Sequence, residues 1–186
     1  MVYRLASPGD AAALLRIYGQ YIDTGITFET ELPSEAEFRE RITSVLEGYP
    51  YLVCEEDGRI AGYAYAHRKF ERAAYGWIAE LTVYLDGDFR GRGIAKQLYD
   101  RLLALLKLQN IHLAYAIVTD PNPASERFHE KMGFLRRAVF PNIGYKNGWL
   151  GIIWFEKQLI SDPGEPAPVR LLSELDPALV KKILAM

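Results

Sequence analysis

The stretch Glu80–Tyr99, ELTVYLDGDFRGRGIAKQLY, carries a strand, a turn and the start of a helix in one continuous run. ELTVYL is rich in β-branched and aromatic residues and reads as a strand. From Gly91 to about Gln109 the residues Ile94, Leu98, Leu102, Leu105 and Leu106 recur at helical spacing. Between them lies Arg90-Gly91-Arg92-Gly93. A helix N-terminus leaves main-chain N–H groups without partners and carries about half a positive charge. Glycines there let the backbone take positive φ and come close to an anion. Arg90, Arg92 and Lys96 add full charges. These are the components of a phosphate cradle. A plain turn with solvated arginines explains the same residues equally well, so the flanking segments must decide. Neither common nucleotide fingerprint fits. No Gly-Lys-Ser/Thr follows, and the third glycine of G-x-G-x-x-G is replaced by Lys96.

Outward from this stretch, the pattern alternates strands with helices. Residues 2–6 read as a short strand and SPGDAAALLRIYGQYI (7–22) as a helix, with Ser7 as cap and Pro8 in the first turn. TGITFETEL (24–32) is a polar and aromatic loop. PSEAEFRERITSVLE (33–47) is a second helix, with Ser34 and Glu37 at capping-box spacing. YLVCEEDGRIAGYAYAHR (51–68) predicts a hairpin turning at Asp57-Gly58. YGWIAELTVYL (75–85) and IHLAYAIV (111–118) predict strands on either side of the long helix. NPASERFHEKMGF (122–134) predicts a short helix capped by Asn122 and stopped by Gly133. Strands through AVFP and GIIWFEKQL complete the order. The expected fold is an α/β (α+β) single domain: a mixed, mostly antiparallel twisted sheet of about seven strands, flanked by about four helices. Residues 1–160 form the domain. Residues 161–186 hold four of the ten prolines and a short helical segment, DPALVKKILAM, and read as a tail that docks on the body or on a partner.

Composition narrows the function. The chain has 186 residues, 49% hydrophobic, with a formal net charge of −2. That is enough apolar material for a core, and no overall charge that would draw nucleic acid. Any phosphate site is therefore local. Cys54, the single cysteine, lies in an apolar run and reads as a core residue rather than a nucleophile. No Cys/His cluster has metal-ligand spacing, so no metal is expected. The N-terminus lacks the apolar core of a signal peptide, and no apolar run reaches membrane-spanning length. A cytoplasmic protein with no membrane partner is expected.

Arg90-Gly91-Arg92-Gly93-Ile94-Ala95 fits the pattern Q/R-x-x-G-x-G/A. It resembles the coenzyme A pyrophosphate loop of the GNAT superfamily of N-acetyltransferases. ELTVYLD stands where that family has the strand that pairs with the pantetheine arm, and NPASERFHEKMGF resembles its next helix. YIDTGITFETELPS, YPYLVCEEDGRIAGYAYA, RAAYGWIAELTVY, SERFHEKMGF and GYKNGW are together similar to the phosphinothricin and methionine sulfone/sulfoximine acetyltransferase branch. The resemblance covers roughly residues 2–160 and implies acetyl-CoA as donor and a small primary amine as acceptor. It also implies a homodimer. Val83, Tyr84, Leu85, Arg90, Gly91, Arg92, Gly93, Ile94, Ala95, Lys96, Asn122 and Ser125 are the residues it assigns to the coenzyme.

An amine must lose a proton before it attacks a thioester, so a base is the pressing need. Glu80 is the candidate. An isolated carboxylate in an apolar strand is pushed toward the pKa a base requires, and the resemblance puts the branch's proposed catalytic glutamate at this position. A solvent-facing glutamate, or one paired with Arg72, is the alternative. His129 shares a helix face with Ser125 and stands where most of the superfamily has a tyrosine. It is the candidate acid for the leaving thiolate, or else a helix histidine bonded to backbone. On the acceptor side, Arg72 is the candidate carboxylate clamp, Lys146 a second anion-binding group, and Phe28 and Tyr75 the pocket walls. Each reads otherwise as a surface charge or a core aromatic. Trp149 is followed by Leu150-Gly151, where the branch has an acidic residue two positions beyond the tryptophan, and one position is missing before Trp149. The acceptor end therefore departs from the pattern. Two other readings share the donor: a protein or peptide N-acetyltransferase, and a non-catalytic acyl-CoA sensor.

Overall fold

The computed structural model describes residues 1–161 and 164–186. Residues 162 and 163, near the start of the expected tail, lie outside it. Seven strands form one sheet: β1 (Val2–Leu5), β2 (Tyr51–Glu56), β3 (Arg59–Arg68), β4 (Ile78–Leu85), β5 (Leu113–Asp120), β6 (Leu135–Tyr145) and β7 (Trp149–Gln158). Their order is β1-β2-β3-β4-β5-β7-β6. Every neighbouring pair is antiparallel except β4 and β5. Five α-helices accompany them: α1 (Ala11–Gly19), α2 (Glu35–Leu46), α3 (Ile94–Leu108), α4 (Pro123–Lys131) and α5 (Pro177–Leu184).

Local chemistry explains the turns. Asp57 and Gly58 both take positive φ, 51° and 76°, which matches the right-handed twist of the β2–β3 hairpin. Ser34 and Glu37 form the expected capping box of α2, and the Asn122 side chain accepts from the Ser125 N–H to open α4. Helix α3 starts at Ile94 rather than Gly91, because Gly91 and Gly93 take φ of 74° and 77° and lie outside it. The strand expected over 75–85 begins only at Ile78, since residues 73–75 form a 3-10 turn instead.

The parity of the strands sorts the core onto two faces. Tyr51, Val53, Tyr63 and Tyr84 point toward α1 and α2, where they meet Leu14, Ile17, Tyr18, Phe38 and Ile42. Leu52, Cys54, Ala64, Ala66, Ala79, Leu81, Ala114 and Ala116 point the other way, under α3. Alanine across three strands lets α3 sit close, and Leu98, Leu102, Leu105 and Leu106 are fully buried there. Burial of each such leucine contributes about 2 kcal/mol.

The C-terminal segment docks on the body. Leu175 is buried, and Val180, Ile183 and Leu184 pack on the α3 core. Polar contacts strap the approach. Trp77 donates to the Ala167 carbonyl, Asn110 to Pro168, and Gln109 to both Gly48 and Arg170. Arg101 of α3 is 2% exposed; its guanidinium donates to the carbonyls of Gln97 and Leu184 and lies 3.9 Å from the Tyr3 ring. Ordering a buried guanidinium this way meets the desolvation cost with charge-assisted bonds and ring stacking.

Candidate active site

Strands β4 and β5 pair in parallel over only three residues, Ile78, Ala79 and Glu80 against Leu113, Ala114 and Tyr115. Beyond Glu80 the ladder stops and the strands part. β3 stays paired to β4 through Leu85, and β7 stays paired to β5 through Asp120, so the split is confined to one seam. A cavity of about 1010 Å³ opens at it. Glu80, Thr82, Val83 and Tyr84 line it from β4, Ala116 to Thr119 from β5, and Asn122, Ser125 and His129 from α4.

The turn that opens α3 presents mainly main chain. Asp86 accepts from Asp88 N–H and fixes the turn after β4; Arg16 holds the same carboxylate at 2.7 Å. Gly93 occupies the N-cap of α3, and no side chain caps the helix. A Cβ on Gly91 or Gly93 would meet nothing within 4 Å, so open space lies beside the uncapped turn. This is the cradle a pyrophosphate requires, built from N–H groups and a helix dipole. The nearby cations are already engaged. Arg92 pairs with Glu56 at 2.7 Å, Lys96 with Asp100 at 2.7 Å, and Arg90 lies 5.1 Å from the Tyr21 ring. Val83 and Leu85 face the α3 core, whereas the Tyr84 ring turns to the opposite face against Tyr18 and Tyr21.

Glu80 is not isolated, contrary to the sequence expectation. Its Oε2 lies 2.7 Å from Lys69 Nζ and 4.0 Å from His67 Nε2. The ionic partner is Lys69 and not Arg72. Lys69 is itself screened from water, with its ammonium 4.7 Å from the Trp154 ring and 5.9 Å from Phe70. The reason is register: His67 faces Glu80 across the β3–β4 ladder, and Lys69 follows just beyond the end of β3. Nothing in the spacing of the sequence marks that contact.

His129 is 3% exposed and stacks on Phe155. Burial pushes its pKa down to about 4. It is therefore neutral at pH 7, and the expected imidazolium acid does not form. Nδ1 lies 2.8 Å from the Ser125 carbonyl, so it donates there, and Nε2 accepts from Tyr99 Oη at 3.1 Å. Burial raises the Tyr99 hydroxyl far above its ordinary pKa, which keeps it a donor. Tyr99 lines the cavity from α3 and was invisible to sequence reasoning, because a tyrosine at a helical core position reads as packing.

The acceptor residues expected from sequence separate. Phe28 lines the cavity and packs on Gly144. Arg72, Tyr75 and Lys146 do not line it. Arg72 is exposed, Tyr75 is 42% exposed and packs on Phe70, and Lys146 donates to the Thr27 carbonyl at 2.8 Å. The chamber below Glu80 is walled instead by Tyr18, Tyr51, Tyr63 and Tyr65, with Glu29 and Arg41 at its rim. Among the described residues no group of three or more His, Cys, Asp or Glu is placed to hold a metal, and no helix is long and apolar enough to cross a membrane.

Comparison with known proteins agrees with this geometry. Residues 3–151 match the model of the acetyltransferase (GNAT) domain. The chain is 33% identical over 173 residues to the phosphinothricin N-acetyltransferase of Streptomyces viridochromogenes, covering 92% of this chain and 94% of that one. It is 30% identical over 164 residues to an L-methionine sulfoximine/L-methionine sulfone acetyltransferase of Salmonella typhimurium, covering 86% and 95%. Among solved structures, a GNAT superfamily phosphinothricin acetyltransferase from Sinorhizobium meliloti in complex with acetyl-CoA superposes with a TM-score of 0.81 at 30% identity, covering 94% of this chain and 95% of that one. An acetyltransferase from Salmonella typhimurium with its cofactor acetyl-CoA gives 0.85 at 28% identity, covering 90% and 98%. A family match across residues 3–151 and identities of 30% or more over most of the chain leave one conclusion: the chain is a member of the GNAT acetyltransferase family, an N-acetyltransferase that depends on acetyl-CoA.

Proposed function

We propose that this enzyme acetylates the primary amine of a small amino acid or amino acid analogue, by direct attack on acetyl-CoA in a ternary complex. The observation that carries the reading is the position of Glu80. It stands at the last β4–β5 pair, in a cavity that reaches from Asn122, Ser125 and His129 to the tyrosine chamber. A donor entering along the seam and an acceptor in the chamber would meet beside this carboxylate. The likeness to phosphinothricin and methionine sulfoximine/sulfone acetyltransferases supports a small acceptor.

In the proposed reaction Glu80 takes a proton from the acceptor ammonium. The freed amine attacks the thioester carbon, the C–S bond breaks, and the proton that the nitrogen sheds as the amide forms goes to the departing thiolate, so coenzyme A leaves as its thiol. A thiol of ordinary pKa near ~8.5 leaves with modest help. His129, being neutral, serves to hold Tyr99 and the start of α4 rather than to donate a proton from an imidazolium. Gly91, Gly93 and the first turn of α3 would hold the pyrophosphate, with Asn122 and Ser125 near the pantetheine end. We further propose that the enzyme works in the cytoplasm. It would act as a homodimer through the exposed apolar strip at the β6–β7 hairpin, where Ile143, Tyr145 and Trp149 are 53%, 68% and 65% exposed. Sedimentation at micromolar concentration tests the dimer. The function is tested by following thiol release from acetyl-CoA with methionine sulfone, phosphinothricin, ordinary amino acids and short peptides. Turnover with peptides alone would favour a protein acetyltransferase, and coenzyme binding with no turnover would favour a sensor.

A further inference from the structure

We propose that His67 carries the proton collected by Glu80 out to solvent, and so resets the base in each turnover. This rests on the reading that Glu80 is the base. The need comes from the balance of the reaction. An acceptor ammonium and acetyl-CoA become an amide, a free thiol and one proton. Of the two protons that the nitrogen sheds, one goes to the thiolate and one stays on Glu80. That second proton must leave before the next ammonium can react. Glu80 has little contact with water of its own, its side chain being 16% exposed. Two basic side chains lie within 4.0 Å of its carboxylate among the described residues, Lys69 and His67. Lys69 is 13% exposed, and an ammonium has donors only. It holds the carboxylate but has no lone pair to receive a proton. His67 is 38% exposed and lines the cavity.

The geometry turns the right nitrogen toward the base. Nδ1 of His67 lies 3.0 Å from the Arg68 carbonyl, an oxygen that only accepts, so Nδ1 carries a hydrogen. In the neutral ring the lone pair is then on Nε2. Nε2 is the atom 4.0 Å from Glu80 Oε2. His67 and Glu80 face each other across the β3–β4 ladder, which puts both side chains on one face of the sheet, and the Tyr65 ring lies 6.0 Å from the imidazole. A gap of 4.0 Å exceeds a hydrogen bond, and catalytic contacts of this kind tighten once substrate fills the site. In the step, the O–H bond of the Glu80 carboxylic acid breaks and an N–H bond forms at Nε2. The imidazolium then gives a proton to water and returns to the neutral ring. Among side chains, imidazole is the one suited to pass a proton on near neutral pH. The other charged groups that line the cavity are Glu29, Glu37, Glu40 and Arg41, and Arg41 is paired with Glu29 at 2.7 Å. Among the described residues no ion pair joins any of them to Glu80 or His67.

The experiment follows thiol release from acetyl-CoA with L-methionine sulfone as acceptor, in a dilute buffer free of imidazole. His67→Ala should lower kcat about tenfold, with both KM values within about twofold of wild type. Added imidazole should then restore kcat in proportion to its free-base concentration, because a diffusible base replaces the missing carrier. It should leave wild type and Glu80→Gln unmoved. His67→Gln, which keeps much of the bulk but not the base, should behave as His67→Ala does, and thermal melts beside wild type separate loss of fold from loss of the relay. An unchanged kcat in either folded variant, or a fall that imidazole does not lift, overturns the proposal. Equal rescue of Glu80→Gln would show imidazole acting on the amine itself and overturns it too. Full turnover in Glu80→Gln removes the base and this inference with it, whereas a loss there beside an intact His67→Ala overturns the relay alone. No thiol release by the wild type with this acceptor overturns the amino acid reading and, with it, this inference.

Discussion

The cavity and the α3 turn beside it are made of different material. At the α3 turn the ligand-facing surface is main chain: two glycines at positive φ, an uncapped helix turn, and a β4 edge freed when its ladder with β5 ends. In the cavity it is side chain: tyrosine rings from α1, β2 and β3, a carboxylate from β4, and charged groups from α2 and the loop before it. Main chain cannot be changed by most substitutions, so the donor end is constrained. Side chains change one at a time, so the acceptor end is adjustable. The contrast explains how one architecture can keep its donor and vary its acceptor.

The largest effect should come from the acceptor end. Glu80→Gln keeps the shape of the side chain but removes the base, and should lower kcat about 10³-fold while acetyl-CoA affinity by calorimetry stays within about twofold. A matching loss of coenzyme affinity would mean that Glu80 belongs to the donor end. The next effect concerns His129, where the seam meets α4. The folded chain keeps it neutral to about pH 4, whereas an unfolded histidine protonates near 6.5. The stability so gained is complete above pH 6.5 and is lost as pH falls from 6.5 toward 4, by up to about 3 kcal/mol. Urea titrations at pH 7 and 5 should show the decline, and His129→Gln should flatten it. An equal slope in the variant would assign the decline to other groups.

Gly93→Val tests the donor end directly. A β-branched residue at φ 77° costs about 2 kcal/mol of stability, and acetyl-CoA affinity should fall about tenfold with the acceptor KM little changed. Unaltered affinity would remove Gly93 from the cradle. The smallest effect is expected for Lys69→Met, which frees Glu80 to change rotamer. A drop of about tenfold in kcat with little change in KM would mark Lys69 as the group that aims the base. An unchanged kcat would reduce the pair to a surface ion pair.

The same contrast decides what could be read from the sequence. The cradle lies in one run, Asp86 to Lys96, and its strand, glycines and helix follow from local rules. The hairpin at Asp57-Gly58 and the caps at Ser34 and Asn122 were legible for the same reason. Glu80 was legible because it stands in that run. The acceptor chamber draws on Tyr18, Arg41, Tyr51 and Tyr63, which are far apart in the chain and look singly like core aromatics or a solvated helix face. Lys69 escaped notice because its contact depends on β3–β4 register. His129 was legible as a site residue but not in its charge, since burial by Phe155 and Tyr99 is set by tertiary packing. Arg72 and Lys146 have the chemistry of an anion clamp, yet neither lines the cavity: Arg72 is exposed, and Lys146 is bonded behind the wall to the carbonyl of Thr27.

The Arg101 guanidinium has a consequence for the handling of the protein. It rises from the same helix that begins at the cradle, and one of its acceptors is the carbonyl of Leu184. Loss of Leu184 would remove the Nε acceptor of a nearly buried cation and leave it with Gln97 and the Tyr3 ring alone. The remaining fold would then have to open a water path beside the coenzyme helix or lose that helix's packing. Carboxy-terminal integrity, checked by intact mass, therefore belongs among the controls for every acetyl-CoA affinity measured on this enzyme.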